Sequence, residues 1–344
     1  VMHLFFKYFL PNNLILYIIN SKMNGKGVCD QFWSLAPFLC LYQKWRIQME
    51  INKYALFADI ADTLNFTKSG GNMGYTQSGV SHILKSMETE LGFPLFLRTK
   101  QGLVLTHNAE KLLPYIRKLL AANEELDQVV NALNGLETGH ITIACFASIS
   151  RNWLPHVIYQ FRNKYPGIEI ELLEGGTDDI VNWIREMKAD FGLLSHRKVK
   201  NLEWLSLEND PLMAILPKDY PLDGRNAFPV KEFSGHPFII SAEGVDYDVH
   251  QALEDASITP DIPFSSKDDH VIVSMVASRL GLSILPGLVI KGVEHEITAV
   301  PLEPYYSREL GIAFLSKKSL SPAAVRFVTE MQEWVESREK VPAL

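Results

Sequence analysis

One stretch of the chain concentrates side chains that can read nucleic-acid bases. Gln77, Ser78, Ser81, His82 and Lys85 follow Thr76 at steps that place them on one face of a helix. The amide can pair with adenine edges, and the hydroxyl, imidazole and ammonium groups can reach bases or phosphates. Thr76 can cap this helix, and the free N–H groups beside Gln77 favour a phosphate. Val80, Ile83, Leu84, Met87 and Leu91 form the opposite, apolar face, and Gly92 stops the helix. Farther on, residues 93–106 read as two short apolar strands around a basic, glycine-containing turn. Arg98 and Lys100 lie at its tip, suited to phosphate or minor-groove contact. A solvated amphipathic helix and an ordinary charged hairpin would carry the same pattern, which alone does not separate the two readings.

Other elements must hold these groups in place. Ile51, Tyr54, Ala55, Ala58, Ala61 and Leu64 recur at helical spacing. A short second helix is predicted over Phe66–Met73, with Gly70 and Gly71 each costing up to about 1 kcal/mol relative to Ala. Gly74-Tyr75 is a turn signal. Two short helices across a tight turn, the second carrying the polar face, make a helix-turn-helix.

The residues resemble a known pattern here. Asn65-Phe66-Thr67, Thr76-Gln77-Ser78-Gly79-Val80-Ser81 and Met87-Glu88-Thr89-Glu90-Leu91-Gly92-Phe93-Pro94-Leu95-Phe96-Leu97-Arg98 resemble the winged helix-turn-helix of LysR-type transcriptional regulators. That family usually reads S-F-T-x-A-A, then S-Q-P-A-V-S, then L-E-x-x-L-G-x-x-L-F-x-R. Ser69-Gly70 and Ser78-Gly79 depart from it and are expected to loosen the motif. The resemblance implies DNA-facing roles for Thr67, Thr76, Gln77, Ser78, Ser81, His82, Lys85 and Arg98, to which the hairpin adds Lys100. Residues 50–106 hold five basic and five acidic groups, so a single neutral copy would bind weakly and two copies would add phosphate contacts.

Thr106 can cap a helix from His107 to Asn134, about 28 residues and about 42 Å long. Its apolar stripe, from Leu112 to Leu133, asks for a partner helix or for its own domain. In the family this is the linker that pairs two subunits, which implies a homodimer or a homotetramer. Pro114 predicts a kink or a late start.

Beyond Gly139 the pattern alternates. Strands are predicted at His140–Ala147, Ile168–Leu173, Phe191–Leu194, Leu212–Leu216, Phe238–Ser241, Ser283–Leu285 and Gly311–Leu315. Helices are predicted at Arg151–Lys164, Asp178–Lys188, Val249–Ser257, His270–Leu280 and Pro322–Glu336. This order predicts an α/β domain with mostly parallel sheets. Two subdomains are expected, 139–208 with about 297–344, and 209–296, forming a clamshell like that of periplasmic binding proteins with a ligand cleft between. Ser148 and Ser150, between a strand and a helix, could hold a small anion on hydroxyl and N–H groups, or could simply cap the helix. His196 and Ser241 follow strands. Asp268 and Asp269 precede a helix, where capping is the plainer role. Ala277-Ser278-Arg279-Leu280-Gly281-Leu282-Ser283-Ile284-Leu285-Pro286 resembles the family's V-A-x-G-L-G-I-x-x-L-P segment, and residues 210–217 resemble its entry to the second subdomain.

Composition narrows the function classes. Of 344 residues, 47% are hydrophobic and 21% charged, values of a globular chain. The net charge of −7 excludes a uniformly basic nucleic-acid coat. Three cysteines, Cys29, Cys40 and Cys145, suit a reducing cytoplasm rather than a disulfide framework. No G-x-S-x-G, H-E-x-x-H or P-loop occurs, the histidines lack metal-ligand spacing, and no cofactor motif is found, so an enzyme is not expected. Residues 1–48 read as a non-family extension, disordered or a mis-assigned start, with Met49 as the expected initiator. Their apolar runs are too broken to span a membrane. The expected architecture is therefore an extension (1–48), a winged helix-turn-helix (49–106), a linker helix (107–138) and an effector domain (139–344). Promoter DNA and a small, anionic effector are the expected partners. The competing reading is a solute-binding or transport receptor built on the same clamshell.

Overall fold

The computed structural model describes residues 51–100, 102–133, 138–197, 201–241 and 247–339. The extension at 1–48 lies outside them, as do Gln101, Asn134 and residues 242–246. The chain divides into two units after Ile116.

In the first unit, helix α1 (residues 51–63) buries Leu56, Phe57 and Ile60. Asn65 caps α2 (Phe66–Asn72), its Oδ1 accepting the N–H groups of Thr67 at 2.9 Å and Lys68 at 3.1 Å. The Tyr75 N–H donates to the Gly70 carbonyl at 2.7 Å, which draws the chain back over α2. A Cβ at Gly70 would stand 2.8 Å from the Tyr75 carbonyl oxygen and 3.0 Å from Val80. Beside it, buried Ser69 shares a 2.6 Å hydrogen bond with Thr63. Ser69-Gly70, expected to loosen the motif, instead seals the turn at its closest approach. Thr76 then caps α3 (Gln77–Leu91), and Gly92 ends it with φ of 79°. Strands β1 (Phe96–Thr99) and β2 (Gly102–Leu105) pair antiparallel, Phe96 opposite Leu105 and Thr99 opposite Gly102. Phe96 rests against Phe57 and Phe66, with ring centroids at 5.6 and 5.8 Å.

Thr106 accepts the Ala109 N–H and starts α4 (His107–Leu133), which runs on through Pro114. The predicted late start at the proline does not occur.

The second unit is built on crossing strands. Parallel strands β3 (Thr138–Cys145), β4 (Gly167–Glu174) and β5 (Phe191–Ser195) form one end of an eight-stranded sheet. The 15-residue β6 (Glu203–Pro217) runs out of this half. Its second half pairs antiparallel with β10 (Ser283–Pro286) and β11 (Ile297–Glu303). β12 (Ser307–Phe314) returns, antiparallel to both β5 and β6. Gly311 marks the bulge in that pairing, where a Cβ would stand 2.3 Å from the Leu205 carbonyl oxygen. The second half is completed by β7 (Phe228–Pro229), the parallel pair β8 (Pro237–Ser241) and β9 (Asp261–Ser266), and helices α8 (Tyr247–Asp255), α9 (Asp269–Ala277) and α10 (Gly287–Ile290).

Helices α5 (Ala147–Asn152), α6 (Leu154–Lys164), α7 (Thr177–Arg185) and α11 (Pro322–Glu339) accompany the first half. Its core holds Trp153, Phe161, Phe191 and Phe327. The second half has two cores, around Phe233 and Phe238 and around Ile272 and Val276.

Two expectations change. The sheet is mixed rather than mostly parallel, because the chain crosses between the halves on neighbouring strands and returns in the opposite sense. The helix expected at Arg151–Lys164 is two helices meeting at Trp153, since Pro155, in the first turn of the second, has no N–H to carry the first helix's hydrogen bonds onward. On the way back, Ile297 and Leu302 pack in the second subdomain's cores and Leu310 packs in the first.

Cys145 ends β3 fully buried, and burial, with the charge of Glu174 beside it, pushes its thiol up to about 12. A thiol so far above neutrality is no thiolate nucleophile. In a Cys29→Ser/Cys40→Ser protein at pH 8, Ellman's reagent should therefore find no reactive thiol until denaturant is added. Prompt reaction in the native protein would contradict the buried placement.

Candidate nucleic-acid interface and ligand cleft

The nine side chains read as DNA-facing are all exposed: Thr67, Thr76, Gln77, Ser78, Ser81, His82, Lys85, Arg98 and Lys100. Thr67 lies in the first turn of α2, the next six lie at or along α3, and Arg98 and Lys100 belong to the hairpin. Val80, Leu84 and Met87 anchor α3 from behind. The Arg98 guanidinium lies 5.7 Å from the centre of the Phe66 ring, which ties the wing to α2. Phe66 is a positioning group the sequence reading missed.

Three acidic residues of this unit are engaged elsewhere. Glu90 pairs with Lys53 at 2.9 Å, and that bond holds its carboxyl below the ordinary range. Glu88 accepts the Leu95 N–H at 2.7 Å, and Asp59 accepts from Asn72 at 3.1 Å. These three carboxylates are thus occupied on side chains and backbone away from the bases' readers.

In the second unit the cleft is organised around a buried ion pair. Arg308 of β12 lies opposite Asp210 of β6, and its Nε and Nη2 donate to one Asp210 oxygen at 2.9 and 2.8 Å. The other Asp210 oxygen accepts the Leu288 N–H at 2.9 Å. Arg308 also donates to the Ser148 hydroxyl at 3.1 Å. Further contacts join the halves: Ser195 donates to Asp248 at 2.7 Å, Asn152 to the Leu288 carbonyl at 2.9 Å, and Arg151 meets His270.

The expected ligand residues separate. Ser148 sits in this network. Ser150 bonds Glu174 instead, on the same helix α5. Asp268 caps α9, accepting the His270 N–H at 2.9 Å. Ser241 is buried at the end of β8, opposite Ser266. His196 turns toward Trp204, with ring centroids 4.9 Å apart, and toward Glu309 at 3.4 Å. Arg308, Asp210 and Asp248 were not among the sequence candidates.

Burial raises the carboxyls of Asp248 and Asp269. For Asp248 the Ser195 hydroxyl and Arg308 oppose this, and for Asp269 Arg308 does. Among the described residues no group of three or more His, Cys, Asp or Glu is arranged to hold a metal ion, and no helix is long and apolar enough to cross a membrane.

The family model for the bacterial regulatory helix-turn-helix protein, lysR family, matches residues 51–110, and that for the LysR substrate binding domain matches residues 134–336. The chain belongs to the LysR family of transcriptional regulators. Among LysR relatives, it is 32% identical over 289 residues to the uncharacterized regulator YvbU of Bacillus subtilis, covering 83% of this chain and 98% of the relative. The probable regulator LrrA of Synechococcus elongatus is 28% identical over 83% of this chain and 97% of its own length. In fold it resembles full-length OxyR from Pseudomonas aeruginosa, with a TM-score of 0.66 at 21% identity over 83% of this chain and 94% of the other. It also resembles CbnR in complex with its target DNA, with a TM-score of 0.59 at 16% identity over 82% and 99%. As a LysR regulator it is a DNA-binding protein with an effector-binding domain and not an enzyme. The receptor reading falls, because the relatives are transcriptional regulators.

Two outcomes test the cleft. Asp210→Ala would leave Arg308 buried and uncompensated, a loss of about 3–5 kcal/mol in urea unfolding. A carboxyl raised in the fold contributes stability that is complete below its unfolded pKa and is lost as pH rises through the folded value. Asp248→Asn should therefore gain on the parent protein in melting temperature as pH rises from about 4 to 7. Parallel pH profiles would show that Asp248 is not held in its buried position.

Proposed function

We propose that this LysR regulator binds promoter DNA in the cytoplasm through α3 and the β1–β2 wing, as a homodimer or homotetramer joined along α4, under control of a small molecule in the cleft. The observation that carries the reading is the single exposed surface of amide, hydroxyl, imidazole and basic groups on α3 and the wing. Gln77, Ser81, His82 and Lys85 face bases, Thr67, Thr76 and Ser78 face the flanking backbone, and Arg98 and Lys100 take phosphate or the minor groove.

The exposed apolar side chains of α4 support pairing. Tyr115, Leu126 and Leu133 are 70, 60 and 82% exposed on a helix that buries Leu113 and Ile116. A helix with a second apolar face left in water has the makings of a coiled-coil seam.

For the effector, Ser148, Ser150, Ser241 and Asp268 remain the proposed contacts, and Arg151 and Asp248 join them. His196 is turned to Trp204 and is left out. Arg308 already has Asp210, and Asp248 and Asp269 stand nearby. That balance supports a small polar molecule in general, and the expectation of an anion in particular loses its ground. A molecule that binds across the seam would shift the balance between closed and open halves.

The test is fluorescence anisotropy of the full chain on duplex DNA from its own upstream region and on a scrambled duplex, across salt concentrations. Gln77→Ala should cost about 1–3 kcal/mol on the native duplex and little on the scrambled one. Arg98→Ala should weaken both alike and lower the salt slope by about one. Equal binding of both duplexes by the parent protein, unchanged in either variant, would reject the assigned surface.

A further inference from the structure

A cavity of about 140 Å³ lies in the first subdomain of the effector unit, beside the cleft. An apolar cavity of about 150 Å³ is large enough to take benzene. Val181 of α7, Leu194 of β5 and Ala313 of β12 give it an apolar lining, and Leu202 closes one side. His196 and Trp204 form an aromatic wall, their rings tilted by 38°. That wall is fixed from behind: Glu309 accepts the Trp204 Nε1–H at 2.9 Å, and its backbone carbonyl accepts the His196 N–H at 2.7 Å. Hydrogen bonds from Ser206 and Trp204 hold the Glu309 carboxyl below its ordinary range.

The charged groups at the lining differ in how firmly they are held. Glu203 accepts the Lys317 N–H at 2.9 Å. Among the described residues Arg197 has an exposed pair with Asp178 at 3.2 Å and a face contact with the Tyr247 ring at 5.3 Å. Exposed pairs of this kind are weak and exchange readily. A ligand carboxylate would replace Asp178 on the guanidinium with a bidentate, charge-assisted bond.

We propose that this cavity, which borders the cleft through Ser195, is a second small-ligand site that takes a monocyclic aromatic carboxylate. The ring lies on the apolar lining against His196 and Trp204, and Arg197 reads the carboxylate. Tyr247 and Asp248 open α8 in the other subdomain, where they touch Arg197 and Ser195, so an occupant that draws Arg197 away acts directly on the seam.

The test is fluorine NMR of 4-fluorobenzoate with the full chain, and 4-fluorobenzylamine as the probe of opposite charge. The expected result is saturable broadening with the benzoate and none with the amine. Arg197→Gln should weaken binding at least tenfold, and Leu202→Trp, which fills the cavity from its side, should abolish it. Ser148→Ala, in the cleft, should leave it within twofold of the parent. Because Arg197 is exposed, its variant keeps the test decisive even if Leu202→Trp fails to fold. Absence of saturable binding, equal binding of the amine, or binding kept in Arg197→Gln and lost in Ser148→Ala would overturn the proposal. None of these readouts uses DNA, so a failure here leaves the DNA-binding assignment untouched.

Discussion

The buried pair between Arg308 and Asp210 is the constraint on which the effector unit depends. It joins the outgoing strand β6 to the returning strand β12 at the one level where both cross between subdomains. Each charge has a second duty. Asp210 holds the start of α10 through Leu288, and Arg308 reaches Ser148 and lies 5.7 Å from the centre of the Phe146 ring. Such a pair is weak evidence for net stability, because desolvation offsets much of its attraction. Its physical contribution is register. With a carboxylate and a guanidinium facing each other in a dry position, a slip of one residue between the strands would leave both uncompensated.

The DNA-binding unit follows a different economy. Its core is small, and its precision comes from caps and close contacts: Asn65 on α2, Thr76 on α3, Gly70 beneath Tyr75. These fix where α3 begins, and hence which side chains lead its N-terminus. Glu90, Asp59 and Glu88 are committed to Lys53, to Asn72 and to a backbone N–H, which draws three negative charges off the face presented to a phosphate backbone.

Much of this was legible in the residues. The DNA-reading face, its caps, the wing and the linker helix follow from local spacing, and local spacing is what a sequence displays. Resemblance to the LysR pattern then named the arrangement. The alternating strands and helices of the second unit were visible too, but not the long reach of β6 or its pairing with β12. Those depend on pairing between Asp210 and Arg308, nearly a hundred residues apart, which no local pattern encodes. The same distance hid the cleft. Ser148 could be suspected from its place after a strand, whereas Arg308 looks misplaced until its partner is known. His196 was suspected for the same reason as Ser148, and a tryptophan from another strand turned it the other way. Ser69-Gly70 shows the limit of propensity: a weak helix former proved to be a spacer.

The crossing strands also settle how the effector unit is put together covalently. The chain runs out of the first core past Leu207 and comes back to it along β12 at Leu310; between these points it builds the cores of the second subdomain, with Leu288 of α10 reaching back into the first. The second subdomain is thus an insertion whose two ends enter side by side on paired strands. Such an arrangement lets a lineage exchange the inserted half, and with it one wall of the cleft, while the host half and the helix that carries it toward DNA keep their threading.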